Sequence, residues 1–258
     1  MKTRVEVAVT STGVARFTMT NPATLNAVDG PMREALTSAF TKAAVDRGVR
    51  VIVLTGEGNR SFCSGADIGE FKTLPLERFG DILKADMRLI EAVRACPKPV
   101  IARINGYALG TGLLLALACD LLVAREDAEL GLPEIRRGTA VGLQAALLPH
   151  FVGRALARRM ALLGERIEAR EGAACGLVTF ATRPEDLDTK VDSVANKLAG
   201  LDPIALATQK RILRLWEEET LARAIDASVP LVEALVMLPT SIGGGRRCKF
   251  NTMKVGRV

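Results

Sequence analysis

A glutamate beside a proline, a run of small residues ahead of an aspartate, and a glycine-rich segment opening an apolar helix are the places in this 258-residue chain where chemistry could be built. The first is Gly131-Leu132-Pro133-Glu134. A Glu next to a Pro in a loop is ordinarily solvated. Here an apolar segment precedes it and Ile135 follows, which favours partial burial. Desolvation would raise the carboxyl pKa toward the range of a general base. Arg136 and Arg137 would oppose that if they faced it. The second is Ser61-Phe62-Cys63-Ser64-Gly65-Ala66-Asp67-Ile68. Backbone N–H groups at a helix start are pre-aimed donors for negative charge, whereas Asp67 on its own reads as a helix N-cap. The third is Gly110-Thr111-Gly112, which follows a strand and opens a helix. Leu115 stands where a dinucleotide fingerprint needs its third Gly, and no Gly-Lys-Ser/Thr occurs, so neither a Rossmann loop nor a P-loop fits. What remains is backbone that must approach something closely. Tight helix–strand packing and amides exposed to a ligand oxygen both satisfy that, and they are compatible.

The elements that position these segments follow from periodicity. Val5, Val7 and Val9 alternate with other residues as in a half-buried strand, and Val14–Met19 pairs with them across Ser11-Thr12-Gly13. Asp29 caps a helix with Pro31 in its first turn, running to about Ala44. Val49–Leu54, Val100–Ile104 and Leu121–Ala124 are short apolar runs that read as buried strands. Asp81–Ala95 is an amphipathic helix ended by Pro97 and Pro99. The pattern is ββα followed by repeated strand-plus-helix units, an α/β core with helices outside the sheet. From about Asp186 the pattern is helical, with Leu206, Lys210, Leu213 and Trp216–Leu221 in one continuous spacing and Ala224–Val236 in another. This places the core at residues 1–190 and a helical, subunit-associating region at 191–258. Ser241–Gly245 reads as a hinge before a basic tail, Arg246–Arg257.

Composition narrows the function classes. Apolar residues make up 48% and charged residues 25%, which excludes disordered and collagen-like chains. Aromatics are 4%, too few for a base-stacking RNA module. The net charge of +6 is mild for this length and suits any anionic partner, including a phosphorylated cofactor. Five cysteines without a CxxC argue against a disulfide framework or a zinc ribbon, and a single His excludes a His-rich metal site. The thiols read as small core residues in a reducing compartment. Leu113–Ala124, the most apolar stretch, is interrupted by Asp120 and is too short to span a bilayer. A cytoplasmic, metal-free protein is expected. His150 reads as a helix-end or surface residue and Trp216 as part of an amphipathic helix face.

Several ordered motifs together resemble the crotonase, or enoyl-CoA hydratase/isomerase, family. They are Asn21-Pro22 with Leu25-Asn26-Ala27, Arg50–Gly56, Phe62–Ile68, Lys98–Ala102, Asn105–Gly110, Ala118-Cys119-Asp120, Leu132-Pro133-Glu134, and Ala169 with Gly176-Leu177-Val178. The resemblance covers roughly 220 residues of the chain. It implies a spiral of ββα turns with a C-terminal helical region that builds trimers, and hexamers as dimers of trimers. It also implies an acyl-CoA thioester substrate and no cofactor beyond the coenzyme A that the substrate carries. By the family pattern the amides of Ala66 and Thr111 hold the oxygen of a thioester enolate, Glu134 moves the proton, and Gly110 and Leu114 lie at the acyl group. Coenzyme A is bound around Ala23–Leu25 and Ala66–Ile68, so Ala23, Leu25, Asp67 and Ile68 are the expected contacts. The usual C-terminal ending is replaced by Gly243–Phe250, where Lys249 and Phe250 are the residues left to serve it.

The informative departures are at Thr111, where the pattern usually has Gly, and at Leu114, where hydratases carry a second Glu. One carboxylate in an apolar pocket holds water poorly. It can still take a proton from one carbon and return it to another. That is a 1,3-shift of a double bond from the 3- to the 2-position, and family isomerases show such an arrangement, including a run like Leu114-Leu115-Ala116-Leu117. No acid lies between Arg136 and Pro149, as the dienoyl-isomerase pattern would need, and Leu115 disfavours an aspartyl nucleophile. The leading expectation is therefore a 3-enoyl-CoA to 2-enoyl-CoA isomerase. The alternatives are a hydratase, hydrolase or decarboxylase using Glu134 with a backbone-held water, and a catalytically weak acyl-CoA- or RNA-binding member, for which the basic tail is the one support.

Overall fold

The computed structural model describes residues 4–73, 75–140 and 142–238, and for residues 4, 71, 73, 76 and 143–145 it describes the backbone alone. β1 (Arg4–Val9) and β2 (Val14–Thr20) form the expected antiparallel hairpin. α1 (Gly30–Val45) starts at Asp29, whose carboxylate accepts from the Met32 amide at 2.8 Å. Then follow β3 (Val51–Gly56), β4 (Ser61–Cys63), α2 (Ile68–Thr73) and α3 (Phe79–Arg94). The next turn is β5 (Val100–Ile104), β6 (Tyr107–Leu109) and α4 (Thr111–Leu117). β7 (Leu121–Arg125), β8 (Glu129–Gly131) and α5 (Leu143–Leu163) repeat it. β9 (Arg166–Glu168), α6 (Ala169–Ala174), β10 (Phe180–Thr182) and α7 (Leu187–Ala199) close the core, and α8 (Pro203–Glu218) and α9 (Leu221–Met237) follow.

Two strands per turn go to two different sheets. The larger runs β1-β2-β3-β5-β7-β10 and is parallel after the first pair; the smaller runs β4-β6-β8-β9. This is the spiral of ββα turns. The central strand β3 is buried along its whole length, which explains why it reads as an unbroken apolar run. Ile52 and Leu54 point into the main core with Phe17, Phe40 and Leu113, while Val51 and Val53 join a second cluster with Leu187, Val191 and Ala195 of α7.

Because of that second cluster, the first compact unit runs to Ala199 rather than ending at residue 190. Asp188 reinforces it, accepting from both Nε and Nη2 of Arg103 at 2.8 and 2.7 Å. The second unit starts at Gly200 and contains α8 and α9. The continuous helix expected through Trp216–Leu221 breaks at Glu219 and Thr220, both with extended backbone. Glu217, Glu218 and Glu219 crowd negative charge at a helix C-terminus, where the dipole opposes it. Among the described residues no helix is long and apolar enough to cross a membrane. The hinge and the basic tail, with Lys249 and Phe250, lie outside the described residues.

Candidate active site

Three glycines let the segments picked out above converge. Gly65 has φ +115°, and a Cβ there would stand 3.1 Å from the Leu109 carbonyl and 3.9 Å from the Thr111 nitrogen. A Cβ on Gly112 would stand 2.2 Å from the Cys63 carbonyl, so α4 begins directly against the end of β4. Gly110 has φ +54°, and a Cβ there would stand 2.5 Å from Oε1 of Glu134. The glycine-rich run is thus tight packing and backbone exposure at once.

Ala66 and Thr111 carry the two amides that this convergence brings together. Ala66 bridges in parallel to Val28, with the Val28 amide donating to Gly65 and the Asp67 amide donating to Val28 at 2.9 and 3.0 Å. Those bonds use the neighbours of Ala66, so its own N–H faces the other way. Thr111 is the first residue of α4, where an amide has no partner inside the helix. Among the described residues neither amide donates to a backbone carbonyl. The Thr111 side chain is buried.

Glu134 sits in a 3₁₀ turn, Pro133–Arg137, directly after β8. The turn is tied to the glycine segment by the Gly110 amide, which donates to the Gly131 carbonyl at 2.9 Å. Oε2 of Glu134 is buried without a hydrogen-bond partner. Burial pushes its pKa up, and its own backbone amide and the Arg137 charge pull less strongly the other way. Arg136 is turned aside, with Nε donating to the Leu163 carbonyl at 3.2 Å. Every Asp and Glu of the chain lies within the described residues. None of the others acts on Glu134.

Leu114 lies one turn into α4 and donates its amide to the Gly110 carbonyl at 3.0 Å, which puts it on the same flank of the helix as Gly110. It is buried, as is all of α4. Asp67 is a helix cap in the ordinary sense, accepting from the Gly69 amide at 2.7 Å, and Ile68 beside it is exposed. Ala23 and Leu25 lie in the loop that packs on this segment. Ser64 donates its amide to Leu25 at 3.1 Å and its hydroxyl to Thr24 at 2.7 Å. Leu25 and Asn26 both have left-handed backbone, φ 56° and 59°. The buried Asn26 side chain holds that shape, donating to the Glu57 and Ser61 carbonyls and accepting from the Asn21 amide. Asn105 does the same for the next loop, donating to Gly56 and Gly58. Sequence reasoning saw both asparagines as motif letters without their clamping role; an Asn between apolar segments was the available signal.

Residues 9–237 match the family model described as enoyl-CoA hydratase/isomerase. The chain belongs to that family. It is 35% identical over 216 residues to the (E)-benzylidenesuccinyl-CoA hydratase of Thauera aromatica, covering 83% of this chain and 84% of that one. It is 39% identical over 203 residues to a probable enoyl-CoA hydratase of Bacillus subtilis, covering 78% of each. Among solved structures, an enoyl-CoA hydratase of Mycobacterium smegmatis superposes with a TM-score of 0.88 at 29% identity, over 91% of both chains. One from Bacillus anthracis gives 0.87 at 30% identity, over 91% of this chain and 92% of that one. An acyl-CoA substrate is consistent with this membership, and the ββα spiral agrees with it. The described residues hold no group of three or more His, Cys, Asp or Glu able to bind a metal ion.

Proposed function

We propose that the protein is an acyl-CoA isomerase that moves a double bond from the 3- to the 2-position with one carboxylate. The observation that carries this is Glu134, a half-buried carboxylate against Gly110 with no second acid acting on it. Its carboxylate removes the C2 proton of a 3-enoyl-CoA. The C–H electron pair enters a dienolate whose oxygen accepts from the amides of Ala66 and Thr111, an oxyanion hole of the acyl-transfer kind. The carboxyl then returns its proton at C4, which leaves the double bond between C2 and C3 and Glu134 ionised as at the start. Leu114 supports a dry acyl pocket, because hydration needs a group to hold and orient water where the apolar side chain stands. Ala23, Leu25, Asp67 and Ile68 form the edge along which coenzyme A lies.

A second reading, hydration of a 2-enoyl-CoA, is favoured by the relatives, several of which are named hydratases. A paired assay over several acyl lengths separates the two. Isomerisation of 3-enoyl-CoA with only trace hydration is the expected result; fast hydration of 2-enoyl-CoA refutes the single-carboxylate reading. The groove between α8 and α9, lined by Ile212, Trp216, Ile225, Val229, Val232 and Val236, supports assembly of copies through this helical region. Sedimentation at a trimer or hexamer mass is expected, and a monomer refutes it.

A further inference from the structure

α2 is a short helix, and the segment carrying the Ala66 amide runs straight into it. Among the described residues, two contacts tie that segment to α1 and its entry. One is the backbone bridge to Val28, just before α1 begins. The other is ionic and lies one turn into α1. Arg33 there is buried, and its guanidinium reaches two other helices. Nη1 and Nη2 donate side by side to the Glu70 carboxylate of α2 at 3.4 and 3.3 Å, and Nε donates to Asp86 of α3 at 2.6 Å. Burial works against the Arg33 charge, but the two carboxylates more than offset it and the guanidinium stays protonated.

Arg33 and Asp86 are buried and Glu70 half-buried, and ion pairs so placed contribute little net stability compared with apolar packing of the same volume, so their use here points to geometry. The guanidinium fork is planar and rigid, and it binds a carboxylate in one orientation. Beside it lies a cavity of about 630 Å³ bordered by Arg33, Glu70, Thr37, Ile82 and Arg88. Glu70 also covers the start of α1, with Oε1 lying 3.1 Å from where a Cβ on Gly30 would stand.

We propose that Arg33, Glu70 and Asp86 are positioning residues that lock α2 between α1 and α3 and so fix the Ala66 amide against the Thr111 amide. The proposal rests on the reading of those amides as the oxyanion hole. Without the Glu70 anchor the segment keeps its Val28 bridge and the protein folds, but the Ala66 donor is free to tilt.

The test is the thioester carbonyl stretch of a bound saturated acyl-CoA labelled with ¹³C at that carbonyl. The probe is the tightest binder among butanoyl-, hexanoyl- and decanoyl-CoA, and it is compared in wild type, Glu70→Gln and Arg33→Lys. Wild type should lower the stretch relative to solution. Both variants should lose most of that lowering while still folded at the assay temperature. Their kcat should fall by about 10- to 100-fold with KM within about threefold, below the ~10²–10³ cost of losing a donor outright. A full lowering retained in both variants, with activity tracking only the folded fraction, overturns the clamp. No lowering in wild type overturns the oxyanion assignment itself, and the clamp with it.

Discussion

Replacing Gly110 by Ala tests whether the position of Glu134, and not merely its presence, sets the rate. The new Cβ would stand 2.5 Å from Oε1, and ordinary van der Waals contact begins at 3.4 Å, so the carboxylate must retreat by about 0.9 Å. Glu134 is the flexible end of a side chain and can make room without unfolding anything. A misplacement of about 1 Å at a reacting group costs on the order of 10² in rate, equivalent to about 2.7 kcal/mol of activation free energy. The substitution also places a Cβ at φ +54°, ψ −123°, outside the left-handed helical well, which costs about 1–3 kcal/mol of stability by itself. Gly58→Ala is the matching control. It also places a Cβ at positive φ, +77°, but with nothing within 4 Å of that Cβ, and it lies in the loop between β3 and β4. The assay is kcat/KM for 3-enoyl-CoA isomerisation beside thermal melting of both variants. Gly110→Ala should lose about 10²-fold activity and Gly58→Ala almost none, with both variants still folded at the assay temperature. If the two variants keep the same kcat/KM, the carboxylate does not act from the place described here.

Glu134→Gln should lower isomerisation by about 10²–10⁴-fold, the usual worth of a general base. Its effect on stability runs the other way. The folded-state pKa of Glu134 is raised, so the stability its protonated form contributes is present below the unfolded pKa and is lost as pH rises through the folded one. At neutral pH the variant should therefore be more stable by about 1 kcal/mol, with the advantage gone in acid; melting curves across pH check this, and equal stability at every pH contradicts it. Wild-type activity should rise with pH through the same raised pKa, above the ordinary glutamate range. Leu114→Glu puts a second carboxylate on the Gly110 flank of α4. It should gain hydration of 2-enoyl-CoA and lose about 2–4 kcal/mol of stability through lost apolar burial and a desolvated carboxyl. Unchanged isomerisation with no hydration would show that position 114 does not face the acyl group.

The sequence by itself determined β1, β2, β3, β5 and β7 of the larger sheet, most of the longer helices, the family and the candidate residues. The unbroken apolar run of β3 is dictated by burial on both faces, and the Asp29-Pro31 start of α1 by local capping, so both are legible without a partner in space. The missing second acid is legible too, since a Leu at position 114 cannot be converted by any fold into a carboxylate. What only the tertiary structure decided concerns contacts distant in the chain. The short β4, β6, β8 and β9 carry too few residues for a period to show, and they exist because each turn of the spiral lays one beside the last. The place of α7 in the first unit follows from Leu187, Val191 and Ala195 meeting the far face of β3. The raised pKa of Glu134 comes from its burial, and Arg137, three residues on in the chain, pulls too weakly to reverse it. Arg33, Glu70 and Asp86 are three charges far apart in the chain, and they become an ionic cluster only once α1, α2 and α3 pack. Local sequence sets which conformation each segment prefers; the desolvation that gives a charge its chemistry is a property of everything folded around it.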